Sequence, residues 1–326
     1  MRESPRGTQQ LRNQMLRRLP TKAELARRTP VVLTERDKSI LVAIYTHGFL
    51  TTELIEVAFF PPPAGGRQSP CSQAYERLQR LWEWSFVERV EPPMARSLGG
   101  RRPYLYALGR RGPSIVEQYL AQSAPRVQRR RLDRLDSMFI EHDLTIAAFW
   151  ANLVARLRST SVKLARWVPE RELRARRMRV KDPESERWLP FLPDAAFELH
   201  YPTGTVHCGL LEVDMGTLTL ARFRRKLRAF ELALAQGLFA KHWRHKDFEV
   251  FVLTHSDARL NHLWRAARDV VPPERWEWYF FATFQVLAPD RVDGGGAWTN
   301  VEGSTFGLLY PEAHEDDRGQ AGDQRR

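Results

Sequence analysis

The chain has 326 residues, 43% of them hydrophobic, and a formal net charge of +12 at pH 7. That length accommodates two ordinary domains with real cores, and the positive excess favours a polyanionic partner, nucleic acid before membrane, because each phosphate contact releases counterions. No apolar run is long enough to span a bilayer, the arginine-rich N-terminus lacks the apolar segment of a secretory signal, and the two cysteines, Cys71 and Cys208, make no disulfide framework, so a reducing cytoplasm is the expected compartment.

Residues 1–30 read as a flexible basic arm, suited to gripping a phosphate backbone or simply solvated. From 31 to 120 the pattern is tighter. Thr34 caps a helix with Asp37 at its third position, Ile40, Leu41, Ile44 and Tyr45 form its apolar stripe, and Gly48 stops it. Thr51 caps a second helix with Leu54, Ile55, Val57 and Ala58 inward. After a Pro- and Gly-rich loop, a third helix is predicted from Ser72 to about Ser85, with Tyr75, Leu78, Leu81 and Trp82 on one face. Two strands, 86–90 and 104–108, flank a basic loop from Pro92 to Arg102. Three helices and a two-stranded wing make a winged helix-turn-helix.

Residues 113–135 read as a linking helix and a basic run, with 121–135 as the linker between domains. Residues 136–290 carry a second domain and 291–326 a weakly ordered tail. The second domain begins with an amphipathic helix to about Leu157, then a strand over 162–168, and a charged, irregular stretch over 170–189. A strand–turn–strand unit with its turn at Tyr201 to Gly204 comes next, then a helix from about Leu218 to Gln236, a strand over 248–254, a helix over 256–271 and a strand from Trp276 to Val286. The chain therefore reads as α/β (α+β): a winged helix-turn-helix followed by a mixed-sheet α/β sandwich.

In the first domain, Gln73, Arg77 and Arg80 fall on the polar face of the third helix, where arginine reads guanine and glutamine reads adenine in a major groove. Arg96, Arg101 and Arg102 sit in the wing and suit the adjacent backbone. The bland alternative is a winged helix used for protein contacts, with these arginines as solvated charge. In the second domain, Glu212 and Asp214 are two residues apart on one strand and share a face. If the segment from Asp194 pairs with that strand, three carboxylates converge. Their mutual repulsion is relieved most cheaply by a hard divalent cation, Mg2+ or Mn2+, which also lowers the pKa of a bound water and stabilises charge on a phosphate. The alternative is three capping, turn and edge-strand acids with no common site. Lys226, on the following helix, suits a water-orienting or phosphate-neutralising role, or a solvated face. Arg224 and Arg228 read as solvated. Glu141 and His142, on the first helix of the domain, offer a further ligand or proton shuttle, although a histidine on such a helix is more often structural. His242 and His245 share a helical spacing, but without a second pair or a cysteine cluster they do not make a zinc site.

The segments Leu-Thr-Glu-Arg-Asp at the first helix, Tyr-Glu-Arg-Leu-Gln-Arg-Leu in the third, Arg-Arg-Pro-Tyr-Leu-Tyr-Ala-Leu in the wing, Glu-His-Asp-Leu at 141–144, Pro-Asp at 193–194, Leu-Glu-Val-Asp-Met-Gly-Thr at 211–217 and Lys-Leu-Arg-Ala-Phe at 226–230 occur in the order of the replication-relaxation family, which the chain resembles over about 31–235. The resemblance implies a winged-helix DNA-binding domain followed by a restriction-endonuclease-like domain, similar to the C-type mobilisation relaxases, which nick double-stranded DNA with acidic residues and a metal. It carries the metal and catalytic roles to Asp194, Glu212 and Asp214, and the lysine role to Lys226, and is compatible with a homodimer or relaxosome partners. One departure stands out. Many endonucleases of this fold place a lysine two residues after the second acid, where this chain has Asp214. Either Lys226 has taken that role or the site is impaired. Three functions follow: a metal-dependent nickase of plasmid mobilisation or replication, a catalytically inactive origin-binding or regulatory protein, and, disfavoured by the dedicated DNA reader, a toxin or defence nuclease.

Overall fold

In the computed structural model, which describes residues 20–21, 23–24, 27, 29–61, 71–90, 104–120, 137–287 and 298–307, the chain divides into two units, Met1–Ser137 and Met138–Arg326. The wing loop with Arg96, Arg101 and Arg102 lies outside the described residues, as do the linker and most of the basic arm and the tail.

Capping chemistry sets the first unit. The Thr34 hydroxyl accepts from the Asp37 backbone N–H at 3.3 Å and the Asp37 carboxylate accepts from the Thr34 N–H at 2.6 Å, a capping box that starts α1 (Glu35–His47). Gly48, at φ 84°, ends it in a conformation that suits glycine. The chain turns through β1 (Leu50–Thr51) into α2 (Thr52–Phe59), capped by the Thr51 hydroxyl at the Leu54 N–H. Then come α3 (Cys71–Glu83), β2 (Val87–Val90), β3 (Leu105–Leu108) and α4 (Gly112–Tyr119). Ile40, Leu41, Ile44, Leu78, Leu81, Phe86 and Tyr106 are buried. The helices and antiparallel sheet form the expected winged helix-turn-helix, with one addition: Leu50 pairs with Tyr106, so the sheet has three strands in the order β1-β3-β2. A two-residue strand leaves no alternation to read in the sequence.

Arg77 behaves differently from the expectation for a groove-reading residue. Its Nε donates to Asp37 Oδ1 at 2.6 Å, and its Nη2 donates to Asp37 Oδ2 and to the Val32 carbonyl at 2.8 Å. Asp37 is fully buried, so this bidentate pair ties α3 to the start of α1. Gln73 and Arg80 stay exposed.

The second unit runs α5 (Ser137–Leu157), β4 (Lys163–Pro169), α6 (Glu170–Arg176), β5 (Arg179–Lys181), β6 (Trp188–Pro190), β7 (Ala195–His200), β8 (Val206–Asp214), α7 (Leu220–Ala235), α8 (Leu238–Trp243), β9 (Glu249–Thr254), α9 (Asp257–Arg268), β10 (Tyr279–Thr283), β11 (Trp298–Asn300) and β12 (Thr305–Phe306). Seven strands form one mixed sheet in the order β12-β11-β10-β9-β8-β7-β4, parallel across β8, β9 and β10 and antiparallel elsewhere. The α5 side chains Ile146, Phe149, Leu153 and Leu157 pack on one face against Phe197, Leu211, Val213 and Phe251. On the other face α7 and α9 supply Phe223, Leu227, Phe230, Leu263 and Ala266 against Ala196, Leu210, Val250 and Phe281. Alternation along the strands sends successive residues to opposite cores, which makes an α/β sandwich.

Residues 170–189, expected to be irregular, contain α6 and the β5–β6 ribbon. Each of these elements buries one main anchor, Leu173, Val180 or Leu189, too few for a period to register, while Glu172–Arg176 at 2.6 Å braces the helix by charge. The strand expected over 276–286 is shorter, because 3-10 turns at Pro273–Trp278 and Phe284–Leu287 flank β10. Helix α8 and strands β11 and β12 were not foreseen, and the two strands extend the sheet beyond residue 290.

The Arg77–Asp37 pair yields a direct expectation. Arg77→Ala leaves a buried carboxylate without its partner and lowers stability by about 3 kcal/mol or more in urea unfolding. Unchanged stability would return Arg77 to the solvent-facing set.

Candidate functional site

The register of β7 against β8 places Ala195 opposite Leu211, so Asp194, just ahead of β7, comes level with Glu212. Two hydrogen bonds fix that approach: the Asp194 N–H donates to the Leu211 carbonyl at 3.0 Å, and Asp194 Oδ2 accepts from the Val213 N–H at 2.8 Å. Leu211 and Val213 point into the core under α5, which leaves Glu212 for the face covered by α7. There Lys226 lies beside the buried stripe of Phe223, Leu227 and Phe230. Its ammonium bonds to Glu212 Oε2 and sits 3.3 Å from Asp194 Oδ1. From α5, one turn ahead of Ile146, His142 reaches Asp194 Oδ2 with Nε2 at 3.3 Å, and its Nδ1 is 3.7 Å from Asp143 Oδ1. Asp194, Glu212, Lys226 and His142 therefore form one cluster.

Asp214 has other partners. Its carboxylate accepts from Arg259 Nε at 2.7 Å and Nη2 at 3.0 Å, from the Thr254 hydroxyl at 3.1 Å and from the Gly216 N–H at 3.2 Å. It shares a strand face with Glu212, but its charge is balanced by α9 and not by Lys226. The expected carboxylate triad is thus a pair, with a separately clamped third acid. Arg224 pairs with Asp269 at 2.6 Å, and Arg228 with Asp182 at 2.9 Å and Glu184 at 2.8 Å, whereas Arg222 and Arg225 are exposed along α7.

The cluster displaces its proton equilibria strongly. For Asp194, burial works against the charged form, but the Lys226 ammonium, the His142 ring and the Val213 N–H outweigh it and hold the carboxyl well below the usual range. For Glu212, burial wins: it is pushed up to about 8, with the Asp194 charge adding to the effect and Lys226 opposing it. Burial opposes the Lys226 charge as well, yet the two carboxylates raise it above its ordinary value, so this lysine is a fixed cation and no general base. In His142 the hydrogen bonds to Asp143 and Asp194 overcome burial and raise the ring to about 10, so it carries a proton at neutral pH.

One atom remains without a role. Glu212 Oε1 is buried and has no hydrogen-bond partner among the described residues. An orphaned carboxylate oxygen beside a second carboxylate is the donor set that a hard divalent cation takes, so Asp194 and Glu212 fit Mg2+ or Mn2+.

Fold and site together define a class: a winged-helix unit followed in the chain by an α/β sandwich that buries a lysine-bridged pair of carboxylates. More specifically, the chain belongs to the replication-relaxation family, whose model matches residues 41–246. That span includes every member of the cluster, and membership connects the chain with plasmid replication or mobilisation. No curated protein and no solved structure gives a significant match. Among the described residues, no helix is long and apolar enough to cross a membrane.

Of the residues expected from the sequence, Asp194, Glu212 and Lys226 come together here, and they are joined by His142, which read there as more often structural. The signal for His142 was its place in Glu-His-Asp on a core-facing helix. Arg259 was missed, since nothing local marks an arginine whose partner is 45 residues away.

The raised His142 gives a pH expectation. A group lifted from 6.5 to about 10 contributes stability that is fully present below 6.5 and lost as the pH rises through 10. His142→Asn flattens the fall in unfolding free energy across that window. A profile with the wild-type slope would show that the ring is not held protonated.

Proposed function

We propose that this protein nicks double-stranded DNA in plasmid mobilisation or replication, as a metal-dependent endonuclease whose Mg2+ or Mn2+ is held by Asp194 and Glu212. The observation that carries the reading is the buried carboxylate pair, with Glu212 Oε1 unpartnered, beneath two partly exposed cations. When bound, the metal supplies Lewis-acid stabilisation of the phosphate and an acidified water. The chain's own residues supply the rest. Lys226 and His142 each keep about a quarter of the side chain exposed and meet a phosphodiester as positive charge. Lys226 stays protonated and neutralises the scissile phosphate. His142, protonated at neutral pH, donates to the departing oxygen. Glu212, held near 8 by burial, would give up its proton on taking the cation. Asp214, clamped by Arg259, fixes the end of β8 and so the position of Glu212. Arg222 and Arg225 contact flanking phosphates. In the winged helix, Gln73 and Arg80 read bases, Arg96, Arg101 and Arg102 grip the backbone, and Arg77 braces the reading helix.

A second reading has its own support. Lys226 already bridges both acids, as would suit an inactive core in an origin-binding protein. Nicking of supercoiled plasmid separates the two. With Mn2+, wild-type protein yields open circles, and Asp194→Asn slows that conversion about 100-fold or more while DNA binding persists. Wild-type protein that binds this DNA and never cuts with any divalent metal supports the second reading. Within the DNA-binding unit, Arg80→Ala relaxes site preference, and Arg101→Ala weakens binding evenly and lowers the salt slope by about one.

A further inference from the structure

A second cluster of ligand-type side chains lies on the same sheet face, at the other end of β7. Glu198 and Cys208 are direct cross-strand partners on β7 and β8. Four residues separate Glu198 from Asp194, roughly 13 Å along an extended strand, so this cluster is distinct from the acid pair. His245, in the connection between α8 and β9, completes it. One ligand atom from each of Glu198, Cys208 and His245 lies within 4.8 Å of the others. His200, two residues beyond Glu198 and on the same face, brings Nε2 to 3.9 Å from Glu198 Oε2, the same distance as His245 Nε2.

We infer that Glu198, Cys208 and His245, with His200 at the open side, form a binding site for a borderline-soft divalent transition ion of the Zn2+ class. A tetrahedral site with bonds of roughly 2.0–2.3 Å sets its ligand atoms about 3.3–3.8 Å apart, so the Glu198–His245 spacing of 3.9 Å is already close and the widest pair closes by about 1 Å or more. The donor set of one sulfur, imidazole nitrogen and one carboxylate selects against Mg2+ and Ca2+, which take oxygen. The surroundings suit such an ion. Arg166 donates to Glu198 Oε1 at 3.2 Å, which orients the carboxylate and leaves Oε2 turned toward the histidines. The Arg166 guanidinium is itself held over the Trp243 ring at 4.6 Å, in the helix that leads to His245. Cys208 is buried and forms no disulfide. His200 and His245 are partly exposed and give the ion a path from solvent. Burial pushes the Cys208 thiol up to about 12, so it is a poor nucleophile on its own, and a bound cation is the agent that would ionise it. Each ion bound sends the Cys208 proton to solvent and forms a metal–sulfur bond, so binding strengthens as the pH rises. The ion cross-links the β7–β8 hairpin to the α8–β9 connection and stiffens the sandwich.

The test uses full-length protein stripped with chelator and titrated with Co2+. The wild type develops thiolate-to-cobalt charge-transfer absorption with tetrahedral d–d bands, both erased by one equivalent of Zn2+, and Zn2+ raises its melting temperature. Cys208→Ser loses the charge-transfer band. His245→Ala, a change in a partly exposed connection, weakens Co2+ binding about tenfold or more and keeps the wild-type circular dichroism. Cys71→Ser develops the wild-type charge-transfer band, and because that band reports sulfur ligation alone, Co2+ taken up by the acid pair does not enter the readout. A titration with no thiolate band, or a band that survives in Cys208→Ser, would overturn the assignment.

Discussion

The Lys226 ammonium between Asp194 and Glu212 is the constraint on which the second unit depends. Two carboxylates brought level by strand register and then buried repel each other and lose hydration. A lysine on the helix that covers them offsets both costs, and for that reason α7 crosses the sheet with Lys226 directed at the pair. His142 adds a second positive group from the opposite layer. Since the residue just ahead of β7, and β8, α5 and α7, each supply one member, the cluster cross-links both cores of the sandwich. The same residues that hold this end of the sheet together are the ones a phosphate would meet.

A similar economy governs the basic surplus. The formal charge of +12 suggests a surface given over to phosphate contact, yet many arginines are engaged within the protein. Arg77 is bound to Asp37, Arg259 to Asp214, Arg228 to Asp182, and Arg166 to Glu198. Among the described residues, those proposed above for a polyanion that stay exposed are Gln73 and Arg80 on α3, and Arg222 and Arg225 on α7. Net charge is a sound argument about the kind of partner and a poor one about which side chains touch it.

The division between what could be read and what could not follows range. Threonine helix caps, the Gly204 turn and the alternation through β7 and β8 are local signals, and the winged helix and the Asp194–Glu212 hairpin were legible from them. Lys226 could be placed because its helix has a clear apolar stripe. Pairing across long separations was not legible: the Arg77–Asp37 and Arg259–Asp214 bonds span 40 and 45 residues, and both redirect a side chain from the role its local pattern suggests. The cross-strand meeting of Glu198 and Cys208 with His245 was likewise hidden, because its members come from two strands and a loop with no shared spacing.

In the function proposed here, Asp194 and Glu212 hold one hard cation in a pocket that Lys226 otherwise bridges. Calorimetric titration of Mn2+ into wild-type protein and Glu212→Gln addresses it without reference to DNA or turnover. One Mn2+ bound by the wild type, with the heat lost in the variant and both proteins equally folded, is the expected result. Identical Mn2+ binding in the two proteins, or none in either, would contradict it.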